Sequence, residues 1–180
     1  MHKKSSRFRW LRWLALSAVV IVLDQATKNA ITANFQYGES KYLLPFFNLV
    51  LAYNKGAAFS FLANASGWQR EFFIAITVAI TVALLWMMKH NQRNTLLCTA
   101  LALVIGGAFG NLYDRVMYGH VIDFVQWHVA GYYWPAFNIA DSAICLGAGL
   151  LIWDSYRKPR TKENPKGNTE RTVGKAAEKE

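Results

Sequence analysis

Apolar runs at about 11–31, 71–88, 95–113 and 138–153 dominate this chain, and its charges are gathered between and beyond them. The apolar residues come in blocks, without the stripes of a soluble amphipathic helix. With 53% hydrophobic and 17% charged residues over 180 positions, that pattern reads as a polytopic membrane protein.

Charge placement orients the spans. The net charge is +9, but five basic residues lie in the first thirteen positions and eight more from Arg157 onward. Basic ends that flank apolar spans face the cytoplasm, so nucleic acid is not the expected partner. Residues 1–13 and the run Leu14–Leu23 look like a secretory signal, yet DQATK follows where a small-residue cleavage site belongs. The reading is one uncleaved span leaving the cytoplasm. Asp24 then lies roughly 20 Å above Leu11 at ~1.5 Å per residue, in the outer half of the bilayer. Lys28 is one turn further out on the same face. A tolerated buried ion pair and a catalytic role are both open for these two.

Residues 34–70 read as an extracytoplasmic insert. Within it Leu43–Tyr53 suits a strand, Asn54-Lys55-Gly56 a turn and residues 57–62 a returning strand. An open hairpin cannot span lipid, so it lies on the surface or covers something; by itself the Asn54 turn reads as structural. Asn64-Ala65-Ser66 matches a glycosylation sequon of a kind common by chance. The span 71–88 runs inward to a basic loop at Lys89, His90 and Arg93, and 95–113 runs outward. Its last turns carry glycines that allow close helix contact, followed by Asn111, Asp114 and Arg115 on one face. Asp114 reads as the partner of Arg115 at a helix end, with Arg115 also able to neutralise nearby carboxylates. The segment 116–137 reads as an outer loop holding Asp123, with Trp127, Tyr132, Tyr133 and Trp134 suited to an interfacial belt. The fourth span, 138–153, opens with Asn138 and Asp141 and runs back inward. Residues 1–155 thus form one membrane domain, and 156–180 have the composition of a disordered cytoplasmic tail.

This topology brings Asp24, Asn54, Asn111, Arg115, Asp123, Asn138 and Asp141 to one depth at the outer face. Intramembrane acids are costly and mark function. There is no HExxH motif, Cys98 and Cys145 read as packing residues, and His120 and His128 do not make a zinc site. No metal and no cofactor is expected. Ser142 and Lys28 give only a thin basis for a serine–lysine hydrolase. A carboxylate pair remains: two aspartates held close share a proton, one then acting as base on a water and the other as acid to a carbonyl. Asn or Arg neighbours would stabilise the oxyanion. Asp123 and Asp141 fit such aspartyl hydrolysis, while a small transporter or a proton or cation relay using the same acids stays open.

Five blocks carry a more specific signal: DQATK at 24–28, NKGAAF at 54–59, GGAFGNLYDR at 106–115, VIDF at 121–124 and FNIADS at 137–142. In their order and spacing the chain resembles, over about residues 10–155, the bacterial lipoprotein signal peptidases (signal peptidase II, peptidase family A8). The resemblance implies an aspartic endopeptidase of the inner membrane that cuts diacylglyceryl-modified prolipoproteins just before the lipidated cysteine. It implies that Asp123 and Asp141 are the catalytic dyad. Asn54, Gly56, Asn111, Arg115, Asn138 and Ala140 would line the substrate and inhibitor site, supported by Asp24, Lys28 and Asp114. The implied fold is mainly α, a four-transmembrane-helix bundle. It assigns residues 43–62 to a small periplasmic β-cradle and 124–135 to a periplasmic helical loop over the site. Sensitivity to globomycin, contact with membrane lipid and a monomeric state complete the expectation.

Overall fold

The structure, a computed structural model, describes residues 9–56 and 68–157. They form α1 (Leu11–Asn34), β1 (Ser40–Leu44), β2 (Phe47–Asn54), α2 (Gln69–His90), α3 (Thr95–Tyr118), β3 (Val121–Val129), β4 (Tyr132–Tyr133) and α4 (Ile139–Tyr156). The returning strand expected at 57–62, the sequon and the tail beyond Arg157 lie outside the described residues.

Local chemistry sets the helix ends. The Asn94 side chain caps α3 by accepting from the Leu97 N–H at 3.2 Å, and Gly119, at φ 78°, ends the helix in the left-handed conformation that glycine adopts freely. α3 therefore ends at Tyr118 rather than near 113: Asp114 and Arg115 interrupt the apolar run, but nothing before Gly119 breaks the helix. At the start of α4, Asn138 Oδ1 accepts from the Asp141 N–H at 2.9 Å, and Asp141 Oδ2 accepts from the Asn138 N–H at 3.3 Å. This reciprocal capping box satisfies two amides that a helix start leaves unpaired.

α3 is the centre of the bundle, packed against α1, α2 and α4. It runs parallel to α1: Ser17 Oγ donates to the Ala102 carbonyl at 2.8 Å, and further along both helices Lys28 Nζ meets Asp114 at 2.7 Å. It runs antiparallel to α4, where a Cβ on Gly107 would strike the Ala140 carbonyl oxygen and one on Gly147 would lie 2.7 Å from the Ala100 carbonyl oxygen. Small residues permit backbones to approach this closely. The C-terminal ends of α1 and α3, the N-terminal end of α4 and the sheet thus share one end of the bundle. At the other end the Asn94 side chain donates to Asp154 at 3.0 Å, tying the start of α3 to the end of α4.

Burial is inverted relative to a soluble bundle. Asp24, Lys28 and Asp114 are fully buried, while Val22 is 65% exposed and Val82 61%. Polar groups inside and aliphatic groups outside is the arrangement lipid imposes. α1, α2 and α3 are each long and apolar enough to cross a membrane.

The four strands make one antiparallel sheet in the order β1-β2-β3-β4. Two sequence expectations are corrected here. The stretch Leu43–Tyr53 is not one strand: it breaks at Pro45-Phe46, where Leu44 pairs with Phe47, and the two halves form a hairpin of their own. Proline has no N–H to donate to a ladder and presets a turn. The segment 124–135 is not a helical loop but β3 and β4, joined through Ala130 (φ 50°) and Gly131 (φ 85°). The residues of β3, VIDFVQWHV, are mostly β-branched and aromatic, which suits a pleated, half-buried surface. Between β2 and β3 the register moves from Leu49↔Val125 to Ala52↔Asp123, a bulge beside the aspartate.

Candidate active site

Strand periodicity fixes where Asp123 points. Ile122 and Phe124 join Ile31 and Leu51 in an apolar cluster beneath the sheet. Period-two alternation sends Asp123 between them to the opposite side, toward the start of α4. There its Oδ1 accepts from Asn138 Nδ2 at 2.8 Å and its Oδ2 from Asn54 Nδ2 at 3.1 Å. The Gly56 N–H donates to Asn54 Oδ1 at 2.8 Å, which turns the Asn54 amide group toward the acid. Gly56 sits at φ 107°, and the Phe73 ring occupies the place a Cβ would take.

Asp141, in the first turn of α4, is joined to Asp123 through Asn138, which caps Asp141 and donates to Asp123. Its other oxygen, Oδ1, accepts from Asn111 Nδ2 at 2.7 Å. Asn111 Oδ1 in turn accepts from Lys28 Nζ at 3.1 Å and Asn138 Nδ2 at 3.2 Å. The two acids therefore hang on one continuous set of hydrogen bonds in which cation and amides polarise each other.

Lys28 anchors that set. It lies 2.7 Å from both Asp24 and Asp114, all three side chains fully buried. Asp24 Oδ1 accepts from the Ala140 N–H at 2.9 Å, and Asp114 Oδ2 from the Ile122 N–H at 3.2 Å. One buried ion cluster thus holds α1, α3, β3 and α4 in register. Asp24 and Lys28 form the buried ion pair that the sequence left open beside a catalytic role. The expected Asp114–Arg115 pair is replaced: Asp114 faces Lys28 across the α1–α3 interface. Gln25, which sequence reasoning passed over, bridges the cluster by donating to Asp114 Oδ1 at 2.8 Å; only its place inside DQATK hinted at a role.

Arg115 sits within electrostatic reach of Asp141, Asp123 and Asp114. Ala140 is fully buried, its N–H held by Asp24 and its carbonyl against Gly107. Ser142 and Lys28 do not meet: the hydroxyl donates to the Asn138 carbonyl at 2.9 Å. His128 faces Asn48, and His120 lies against Tyr53.

The electrostatics separate the two acids. Burial, and then the charge of Asp141, push the Asp123 carboxyl from 3.8 up to about 7, against the opposing pull of the Asn54 and Asn138 hydrogen bonds and the Lys28 charge. Near neutral pH the site therefore holds a carboxyl that is partly protonated beside a second acid, Asp141. That pairing can give a proton to one atom and take one from another.

Known proteins carry the same pattern. The signal peptidase (SPase) II family matches residues 16–157. A lipoprotein signal peptidase of Ralstonia nicotianae is 56% identical over 148 residues, covering 82% of this chain and 86% of that one. One of Janthinobacterium is 54% identical over 154 residues, covering 86% and 93%. Among solved structures, a bacterial membrane enzyme determined by the in meso method at 1.9 Å resolution superposes with a TM-score of 0.73 at 33% identity, over 82% of this chain and 94% of that one.

Proposed function

The chain belongs to the signal peptidase II family, and from that premise we propose that Asp123 and Asp141 are the catalytic dyad with which it removes signal peptides from prolipoproteins. It is a membrane protease of the aspartic type. The observation that carries the dyad reading is the meeting of two carboxylates from β3 and α4 on Asn138, with the Asp123 carboxyl pushed up to about 7.

In the reaction the Asp141 carboxylate takes a proton from water as its oxygen attacks the scissile carbonyl carbon, and Asp123 gives its proton to the carbonyl oxygen. The tetrahedral intermediate then breaks its C–N bond while Asp141 passes its proton to the departing nitrogen. Asp123 recovers a proton from the intermediate's hydroxyl, and both groups return to their starting state. Arg115 offsets the negative charge of this site. Asn54, Gly56, Asn111, Asn138 and Ala140 shape the ground around the scissile bond, with Asp24, Lys28 and Asp114 beneath them.

α4 serves as a fourth span, and the bundle stands in the bacterial inner membrane with its site at the periplasmic face. Arg9, Arg12, Lys89, Arg93 and Arg157 all lie at helix ends away from the site, which supports that end as cytoplasmic. The β-sheet then rests at the outer interface, with exposed Trp127, Tyr132, Tyr133 and Trp134 in the aromatic belt. A diacylglyceryl-modified substrate reaches such a site from within the lipid, where its scissile bond still meets water. Globomycin inhibits cleavage, and a monomer suffices.

The test is a gel-shift cleavage assay on a diacylglyceryl-modified prolipoprotein with the wild type, Asp123→Asn, Asp141→Asn and a globomycin control. Cleavage by the uninhibited wild type alone is expected. Cleavage by either folded variant would remove that residue from the dyad.

A further inference from the structure

α2 reaches the site from the side, and its first turns touch the site's margins. Arg70 Nε donates to the Arg115 carbonyl at 2.9 Å, and its Nη2 to the Val116 carbonyl at 2.8 Å. These carbonyls belong to the last turn of α3, and that of Arg115 also accepts from the Gly119 N–H at 3.2 Å. One turn further into α2, the Phe73 ring centre lies 5.1 Å from the Arg115 guanidinium carbon. The same ring fills the space against Gly56. One phenyl group therefore backs both the site's arginine and the turn that aims Asn54 at Asp123.

Arg115 needs such a backing. Its side chain donates to the Asn111 carbonyl of its own helix at 3.2 Å, which leaves a long side chain much of its freedom. A guanidinium resting on an aromatic face is held both by attraction to the ring and by packing. Around it stand Asp114 on α3, Asp123 on β3 and Asp141 on α4, so a small swing changes the charge felt at both acids.

We propose that Phe73 and Arg70 are positioning residues of this peptidase, Phe73 fixing the Arg115 guanidinium and the Asn54–Gly56 turn beside the dyad and Arg70 holding the end of α3 that carries Arg115. The proposal rests on the dyad reading above. Neither residue touches the reacting atoms; both act through Arg115 and Asn54.

The test measures kcat and KM separately for the full-length protein with a diacylglyceryl-modified prolipoprotein, and Tm beside them. Phe73→Leu keeps apolar bulk but loses the ring; its kcat is expected to fall about ten- to a hundredfold, the scale of a small misplacement in an active site, with little change in KM. Phe73→Tyr keeps the ring and most of kcat, at a Tm close to that of Phe73→Leu. In an Arg115→Lys background, Phe73→Leu adds little further loss, because the group it positions is gone. Arg70→Met lowers kcat in the same way. Wild-type kcat in Phe73→Leu, equal losses in the Leu and Tyr variants, or losses that multiply in the double variant would overturn the role of Phe73; wild-type kcat in Arg70→Met would overturn that of Arg70. Should Arg115→Lys be inactive, the Leu–Tyr comparison decides. Asp123→Asn, run alongside, keeps cleaving only if the dyad reading is wrong, so the two failures are told apart.

Discussion

Replacing Asn54 by alanine moves the alkaline edge of activity to higher pH. Asp123 loses its proton at about 7 because burial and the Asp141 charge outweigh the donors that favour its ionised form. One of those donors is Asn54 Nδ2, 3.1 Å from Oδ2. A hydrogen bond to a charged group is worth about 1.5–3 kcal/mol, and about 1.4 kcal/mol is one pKa unit. The bond is longer than the ~2.7–2.9 Å of the strongest charge-assisted pairs, and water can replace the half-buried amide, so the lower end applies. The sign is fixed: losing a donor to the carboxylate disfavours ionisation and raises the pKa. If Asp123 must be protonated to act, kcat/KM of the wild type falls above about 7, and that limb lies about one unit higher in Asn54→Ala. The measurement is kcat/KM from pH 5 to pH 10, at constant ionic strength, on a lipidated peptide. An alkaline limb that stays in place or moves down refutes the assignment of the proton to Asp123.

Other expectations follow from the same geometry. Because the folded pKa of Asp123 lies near 7 against 3.8 ordinarily, its contribution to stability is fully present below about pH 4 and is lost as pH rises through 7, about 4 kcal/mol by linkage. Asp123→Asn should remove that slope from thermal melts taken between pH 4 and pH 8; an unchanged slope would place its origin elsewhere. Lys28→Met strands two buried carboxylates and should cost about 3–5 kcal/mol, read as a large fall in Tm in detergent, whereas a Tm near wild type would mean that the cluster is dispensable. Gly110→Ala sets a Cβ 2.6 Å from Asp24 Oδ2 and should cost about 1–3 kcal/mol by overpacking, with a loss of activity as α1 and α3 move apart; a neutral result would show that Asp24 yields freely.

Much of this arrangement is legible in the chain before it folds. Four apolar runs become four helices, and the acids that open or interrupt them meet at one end of the bundle. What pattern reading misses is set by tertiary packing. Asp114 looks like the partner of its neighbour Arg115, but the glycines of α3 bring α1 close enough for Lys28 to claim it. Ile122 and Phe124 enter one apolar cluster while Asp123 between them faces α4, the alternation of a strand where the resemblance implies a helical loop. Pro45 is a second turn signal nine residues before Asn54, and it splits Leu43–Tyr53 into the two strands of a hairpin. Phe73 and Arg70 carry no signal of their own, since a phenylalanine in an apolar span looks like every other lipid-facing side chain.

The bond from the Ala140 amide to Asp24 spans 116 positions of sequence, and this bears on how the protein is made. When α1 first enters the bilayer, Asp24 and Lys28 can neutralise only each other. Asp114 arrives with the third helix, and the amide that completes Asp24 arrives with the fourth. The acid on that last helix, Asp141, is also half of the dyad proposed above. If Asp123 and Asp141 are the dyad, a nascent chain on the ribosome holds one aspartate without its mate and cannot cut its neighbours during insertion. On that reading, synthesis itself keeps the protease silent until its final helix has docked against its first.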